Sequence, residues 1–445
     1  MTPRALTAGK GPWHTGPTTS LLVDEALLID PNETETKETL DVEDGLRYER
    51  LLQAHDASAR IVRRTPVLTS ASVSKRCGGA VAFKAECLQR TGSFKLRGAL
   101  NKLRTVADGS RGVVAGSAGN HAQSLAYAAR CCEVPCEVFM PVDAAVSKLD
   151  AVRAFGATVH HRGASVDECI ALARERAQEP GLTFVHPFDD RDVIVGQAGL
   201  GIELVDAVPD LRRVIVPVGG GGLAAGVALA VRQARPEVEL IGVQAAVCSP
   251  VAASLARGEL VVSAVSQTIA DGIAVKRPGA LTLPLIERLF DDVVTVEEDA
   301  IAEAMILLLE RSKLVVEGAG AASLAALLSG STVPAANGTT VAVLSGGNVD
   351  VGLLASIAAH EETRAGRRAR LFTRVSDRPG GLAGLLAAVA DERANVIAVE
   401  HVRDGVELAI RETGVELTIE TRGPEHLERV LATLRGSGYE VETVD

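Results

Sequence analysis

Two apolar patterns alternate along the chain. Short continuous runs have the length and β-branched content of buried strands: Val81-Ala82-Phe83-Lys84-Ala85-Glu86, Gly112-Val113-Val114-Ala115, Cys136 to Met140, Thr183 to His186, Val214-Ile215-Val216-Pro217-Val218, Leu240-Ile241-Gly242-Val243 and Thr340 to Leu344. Stretches at helical spacing lie between them, such as Val146 to Phe155. A helix is expected from near Asp41 (Val42, Leu46, Leu51, Leu52), and Thr65-Pro66-Val67-Leu68 reads as an extended entry into the first sheet. Strand, glycine loop and helix in repetition predict an α/β fold with parallel strands, whose loops gather at the strands' C-terminal ends.

After a charged linker expected over Glu361 to Arg370, the pattern changes. Leu371 to Val375 alternates like a strand and Asp377-Arg378-Pro379-Gly380-Gly381 is a turn. Leu382, Leu385, Leu386 and Val389 mark one helix face. Strands follow at Val396 to Val402 and Val415 to Glu420, then a helix (His426, Leu427, Val430, Leu431, Leu434) and a last strand from Tyr439 to Val444. This βαββαβ order predicts a ferredoxin-like α+β domain. The expected organisation is a flexible extension over 1–40, rich in Thr, Pro, Gly and acidic residues, a large α/β domain over 41–360, and the small domain over 367–445.

Composition narrows the function classes. The 445 residues are 47% hydrophobic and only 3% aromatic, ample for a core of small aliphatic side chains. A net charge of −11 without a dense basic run argues against nucleic acid or anionic membrane as a partner. Seven cysteines lack C-x-x-C spacing, which fits small thiols in a reducing compartment and predicts no metal site. No stretch of 18 apolar residues occurs, and the apolar piece Ser20 to Ile29 is broken by Asp24 and Glu25, so a cytoplasmic protein is expected.

The chemistry centres on Gln89-Arg90-Thr91-Gly92-Ser93-Phe94-Lys95-Leu96-Arg97-Gly98-Ala99. Leu96, Ala99, Leu100 and Leu103 follow at helical spacing, so Lys95 falls at a loop-to-helix junction. A helix N-terminus favours the neutral amine, and Phe94 offers it a flat apolar wall. Such an amine can hold a cofactor aldehyde as an imine; taken alone, a surface lysine with its stem on apolar neighbours is the commoner reading, and context must overturn it. Gly219-Gly220-Gly221-Gly222-Leu223 follows a strand and opens a helix. Its spacing fits neither a Walker A loop nor a dinucleotide fingerprint, which leaves a cradle for one phosphate monoester or tight helix–strand packing. Ser117-Ala118-Gly119-Asn120-His121-Ala122-Gln123 is a second loop-to-helix start, suited to a carboxylate, although His121 by itself is more often a satisfied core or cap histidine. Leu344-Ser345-Gly346-Gly347-Asn348 ends another strand, where a serine can meet a ring nitrogen, although the motif in isolation reads first as a simple turn.

Together with His186-Pro187-Phe188-Asp189-Asp190 and Thr268 to Lys276, these loops resemble the fold type II pyridoxal-phosphate enzymes, tryptophan synthase β-like, over roughly residues 60–350. The threonine dehydratase/serine dehydratase group is the nearest match, and the tail resembles an ACT domain. The resemblance implies two open parallel-sheet subdomains and pyridoxal 5'-phosphate as cofactor. It implies that Lys95 holds the cofactor and takes the substrate α-proton, that Phe94 lies against the ring and that Asn120 bonds the ring hydroxyl oxygen. By the same likeness Gly219, Gly220, Gly221, Gly222 and Leu223 hold the phosphate, Ser345 meets the pyridine nitrogen, and Ser117, Ala118, Gly119 and His121 surround the substrate carboxylate. The implied reaction is dehydration of L-threonine to 2-oxobutanoate and ammonia, with L-serine as a second substrate, in a homodimer or homotetramer with an amino-acid effector at the ACT domain.

Four departures bear on this, the mildest being Glu317 with Gly318-Ala319-Gly320 in place of the commoner Glu-Pro-Ser-Gly near the ring. Ala118 stands where related serine racemases carry a serine base, which disfavours racemisation. Gln244 replaces the acidic residue that binds a divalent cation in racemase-like members. Ala198-Gly199 replaces Gly-Thr after Gly196-Gln197, which leaves the preferred β-hydroxy amino acid open. A racemase, a dehydratase of another hydroxy amino acid and a catalytically silent sensor stay open as alternatives.

Overall fold

The computed structural model describes residues 46–107, 109–264, 267–403 and 408–444. The expected 1–40 extension and the predicted helix start at Asp41 lie outside them. The chain enters through α1 (Tyr48–Ser58), β1 (Val67–Thr69), α2 (Ala71–Cys77) and β2 (Val81–Ala85). It crosses by α3 (Lys95–Val106) into β3 (Gly112–Gly116), α4 (Asn120–Cys131), β4 (Cys136–Met140), α5 (Val146–Ala154), β5 (Thr158–His161), α6 (Val166–Arg176) and β6 (Leu182–Phe184). It returns by α7 (Arg191–Ala207) to β7 (Leu211–Pro217), α8 (Gly222–Ala234), β8 (Glu239–Ala245), α9 (Pro250–Arg257), α10 (Thr282–Leu289) and β9 (Asp292–Val296). There follow α11 (Glu298–Leu307), α12 (Gly318–Leu328), β10 (Thr339–Leu344) and α13 (Val351–Arg364).

Two sheets carry this part. One has the order β1-β2-β10-β7-β8-β9, parallel except for β1. The other, β5-β4-β3-β6, is wholly parallel. Every residue of β2 and of β3 is buried, as expected for parallel strands covered on both faces. Helices α7 and α8 pack backbone to backbone: a Cβ on Gly226 would lie 2.6 Å from the Ile194 carbonyl oxygen, and one on Gly201 would lie 2.8 Å from that of Val227. Side-chain caps set three of the helix starts: Ser165 accepts from the amide of Glu168, Asp190 from those of Asp192 and Val193, and Asp350 from those of Gly352 and Leu353.

The tail folds as β11 (Arg368–Ser376), α14 (Gly381–Asp391), β12 (Asn395–Val402), β13 (Glu412–Glu420), α15 (Pro424–Gly436) and β14 (Val441–Val444). Its antiparallel sheet has the order β12-β13-β11-β14, the ferredoxin-like arrangement. Leu371, Leu385, Val389, Leu417, Val430 and Leu434 form a core of its own.

Three expectations need correction. The strand expected at Thr183 to His186 ends at Phe184, because His186 Nδ1 accepts from the amides of Phe188 and Asp189 and turns the chain. β5 and β9 carried no clear signal: part of each is exposed, and both lie at sheet edges. The stretch Glu361 to Arg370 is not a linker, since α13 runs to Arg364 and β11 starts at Arg368. Its charges are spent on contacts: Arg364 pairs with Glu361 and with Asp299 on α11, and Arg367 pairs with Glu310. Among the described residues no helix is long and apolar enough to cross a membrane, and no cluster of three or more His, Cys, Asp or Glu residues is arranged to hold a metal ion.

Candidate active site

The loops singled out in the sequence meet at the C-terminal ends of β2, β3, β6, β7 and β10. Lys95 is the first residue of α3 and is half-buried. Its Nζ donates to the Pro187 carbonyl oxygen at 2.7 Å and sits 5.2 Å from the Phe94 ring centroid. Burial pushes the amine down to about 8, with Glu317 pulling the other way. The Phe94 amide donates to the Ser345 carbonyl oxygen at 3.0 Å, and Ser93 bridges to Gly346, so the lysine loop and the loop after β10 run side by side. Gly92, at φ +73°, allows a close approach: a Cβ there would lie 2.2 Å from Asn348 Oδ1.

Pro187 leads into Phe188, which lies on the glycine loop. A Cβ on Gly220 would meet the Phe188 ring at 2.4 Å, and one on Gly222 would meet the Phe188 carbonyl oxygen at 2.8 Å. Gly221, at φ +95°, faces Thr282, whose hydroxyl donates to the Gly220 carbonyl oxygen. Packing therefore demands these glycines, and the loop is still poised for an anion. The amides of Gly219, Gly220 and Gly221 make no hydrogen bond among the described residues, and α8 begins at Gly222, with Leu223 buried behind it.

The third loop opens α4. The Ser117 hydroxyl accepts from the Gly119 amide at 3.3 Å, and Ala118 contributes only a methyl group. His121 is buried and its Nε2 lies 3.1 Å from the Val185 carbonyl oxygen, so Nε2 carries the proton. Burial and the Lys95 charge push the ring down to about 3. The imidazole is thus neutral and committed to Val185, leaving the His121 amide as the group at the helix start. His186, pushed down to about 4 chiefly by burial, is neutral as well.

Asn120 is held from two sides. Its Nδ2 donates to Glu317 Oε1 at 2.7 Å, and its Oδ1 accepts from Asn348 Nδ2 at 2.7 Å. Burial, helped by Asp271, raises the Glu317 carboxyl to about 7.

Beneath Lys95 lies an ionic cluster with no strong single-residue signal in the sequence. Arg97, buried two residues along α3, bonds both oxygens of Glu86 at 2.8 Å and both oxygens of Glu203 on α7 at 2.8 and 2.9 Å. Lys84 on β2 closes it by donating to Glu203 and to the Thr65 carbonyl oxygen, and Thr65 donates to Glu86. Burial works against ionising Glu86, but the Arg97 guanidinium overrides it and holds the carboxyl below the ordinary range.

The decisive observation is a match of residues 59–346 to the family model described as pyridoxal-phosphate dependent enzyme. The chain belongs to that family. An L-threonine ammonia-lyase from Geobacter sulfurreducens is 44% identical over 401 residues, 90% of this chain and the whole of that protein. Among solved structures, a threonine deaminase from T.th. is 40% identical, with a TM-score of 0.64 over 68% of this chain and 98% of that one. Maize serine racemase is 34% identical, with a TM-score of 0.67 over 71% and 98%. Members of the family depend on pyridoxal phosphate, and the residues here fit that group. A half-buried lysine with a lowered amine stands against an aromatic ring, unbonded glycine amides stand at a helix start, and the buried Ser93 hydroxyl has no partner among the described residues.

Proposed function

We propose that this chain is a pyridoxal-phosphate-dependent L-threonine ammonia-lyase, forming 2-oxobutanoate and ammonia and accepting L-serine as a second substrate. The observation that carries the reading is the Lys95 amine, lowered to about 8 and hydrogen-bonded to Pro187, the residue before the one that lies on the glycine loop. The names of the similar proteins support threonine as substrate.

In this reading Lys95 holds the cofactor at Nζ, the amides of Gly219 to Gly222 and the start of α8 hold its phosphate, and Leu223 closes the loop behind it. Phe94 would lie against its ring, an Asn120 N–H would serve its ring oxygen, and the Ser345 hydroxyl would serve its ring nitrogen. When bound, the cofactor supplies a sink for the electron pair left by the departing α-proton. Once the substrate amine has taken its place on the cofactor, the freed Lys95 Nζ would receive that proton. The loop of Ser117, Ala118 and Gly119, with the His121 amide, binds the substrate carboxylate at the start of α4. A hydroxyl at position 345, unlike a carboxylate, would not keep a ring nitrogen protonated, so the cofactor would be a weaker electron sink there, which favours β-elimination over reprotonation. Ala118 holds no proton on the opposite face, which disfavours racemisation. The net reaction loses one water and regains it on release of ammonia, with no change in oxidation state overall.

The test is the loaded enzyme with L-threonine, measuring 2-oxobutanoate and ammonia together. Equal amounts of both are expected; loss of optical rotation without oxo acid would assign a racemase, and neither product would end the reading. Capture of added cofactor should also speed up as pH rises through about 8, because the neutral form of Lys95 is the nucleophile and is populated above its pKa.

The domain organisation forms part of the proposal: a catalytic domain over 41–360 and an ACT-like regulatory domain over 367–445. The separate core of the tail supports it, as does the Asp377–Leu382 turn, where both oxygens of Asp377 are held by Arg403 at 3.1 Å. An amino-acid effector bound there would shift a quaternary equilibrium. A chain lacking 367–445 should keep basal turnover and lose any effector response; a response unchanged by the deletion would refute the assignment.

A further inference from the structure

Glu317 sits at the end of a hydrogen-bonded relay whose polarity can be read from one backbone carbonyl. The Thr91 carbonyl oxygen can only accept, so the Asn348 atom facing it at 2.8 Å is the amide nitrogen. That nitrogen also faces Asn120 at 2.7 Å, so the Asn120 atom there is Oδ1. The other end of Asn120 must then be Nδ2, and it donates to Glu317 Oε1 at 2.7 Å. One Nδ2–H of Asn120 is thereby engaged, and the second has no partner among the described residues.

Glycines wall the relay closely. A Cβ on Gly346 would lie 2.2 Å from Glu317 Oε1, and one on Gly92 would lie 2.2 Å from Asn348 Oδ1. The Glu317 amide itself donates to the Gly346 carbonyl oxygen at 3.1 Å, which fixes the residue at the start of α12. Glu317 is buried, and the charged or titratable groups that act on it come from four elements: Asp271 in the short turn before Ile273, Lys148 on α5, Lys95 on α3, and Cys87 in the turn after β2.

We propose that Glu317 is a positioning residue: as the terminal acceptor of this relay, it locks the Asn120 amide so that an N–H, and not the carbonyl, is presented to the cofactor's ring oxygen. The inference rests on the proposed function, because it needs Asn120 to face that cofactor. A carboxylate is the strongest acceptor for Nδ2. A protonated carboxyl loses that advantage, and the Glu317 carboxyl, raised to about 7 by burial and by Asp271, changes form near neutral pH. Positioning by Glu317 is therefore full above that pH and weakens below it.

The experiment compares pyridoxal phosphate Kd, by fluorescence titration, for the full-length wild type, Glu317→Gln and Glu317→Met. Glutamine can turn its amide oxygen to Asn120 and preserve the relay without titrating; methionine offers no such acceptor. Glu317→Met should weaken binding about tenfold, and Glu317→Gln should stay within about threefold of the wild type at pH 7. The ratio of wild-type to Glu317→Gln Kd should rise as pH falls through about 7, while effects common to both, from Lys95 or the cofactor phosphate, cancel. A flat ratio overturns the proposal, as does a folded Glu317→Met that binds like the wild type; if Glu317→Met does not fold, the ratio alone decides. Wild type that binds no cofactor overturns the proposed function itself, and that outcome is distinguishable from a flat ratio between two binding proteins.

Discussion

Lys95→Ala is expected to lower L-threonine turnover by at least about 10³-fold, within the range seen when a positioned general base is removed. Among the described residues no second amine fits the role. Lys84 is buried in the ionic cluster, where it donates to Glu203 and Thr65. Lys148 and Lys276 are in ion pairs with Asp271 and Asp167 toward the surface. Lys95 combines partial burial, an aromatic neighbour and a place beside the residues that lie on the glycine loop. Its stem reaches out from the first residue of α3, so the substitution should leave the fold intact, with far-ultraviolet circular dichroism unchanged. Turnover within tenfold of the wild type would remove Lys95 from the chemistry.

The largest effect on stability is expected at Arg97. Arg97→Met should cost about 3–5 kcal/mol, the usual penalty for taking one partner out of a buried charge network. The guanidinium bonds four carboxylate oxygens of Glu86 and Glu203, all of these side chains being essentially inaccessible to water. Without it, two buried carboxylates share only the Lys84 ammonium. Arg97→Lys should recover little, because one ammonium cannot span both carboxylates as the planar fork does. The denaturation midpoint in urea measures this; a shift corresponding to less than about 1 kcal/mol would mean that the cluster reorganises or takes up water. Because Arg97 shares a turn of α3 with Lys95, while Glu203 lies on the helix that follows the Pro187 loop, cofactor affinity should fall alongside stability.

The physical reach of the sequence shows in which features were legible. The strands β2 and β3, buried throughout, and β4, β7, β8 and β10, buried over most of their length, were readable because burial on both faces leaves continuous apolar runs. The edge strands β5 and β9 were not, since exposure on one side dilutes that signal. The loops around Lys95, Ser117, Gly219 and Ser345 could be named individually because each joins a strand to a helix. What no local pattern reveals is which partners long-range folding supplies. Arg97 meets Glu203 from 106 positions away, and Asn120 meets Glu317 from 197. The His121 ring is another such case: its sequence neighbours suggest an anion site, while its imidazole is bound to Val185, reached through β6. Charge was misleading at Glu361 to Arg370, where a run typical of a linker serves to dock α13 on α11.

The most direct test of the account is to load the purified protein with pyridoxal phosphate, reduce it with borohydride, digest it and locate the modified lysine by mass spectrometry. The expected result is a pyridoxyl group on the peptide containing Lys95, in near-equal proportion to the protein. Modification concentrated on any other lysine, or none above the background of exposed lysines, would contradict it.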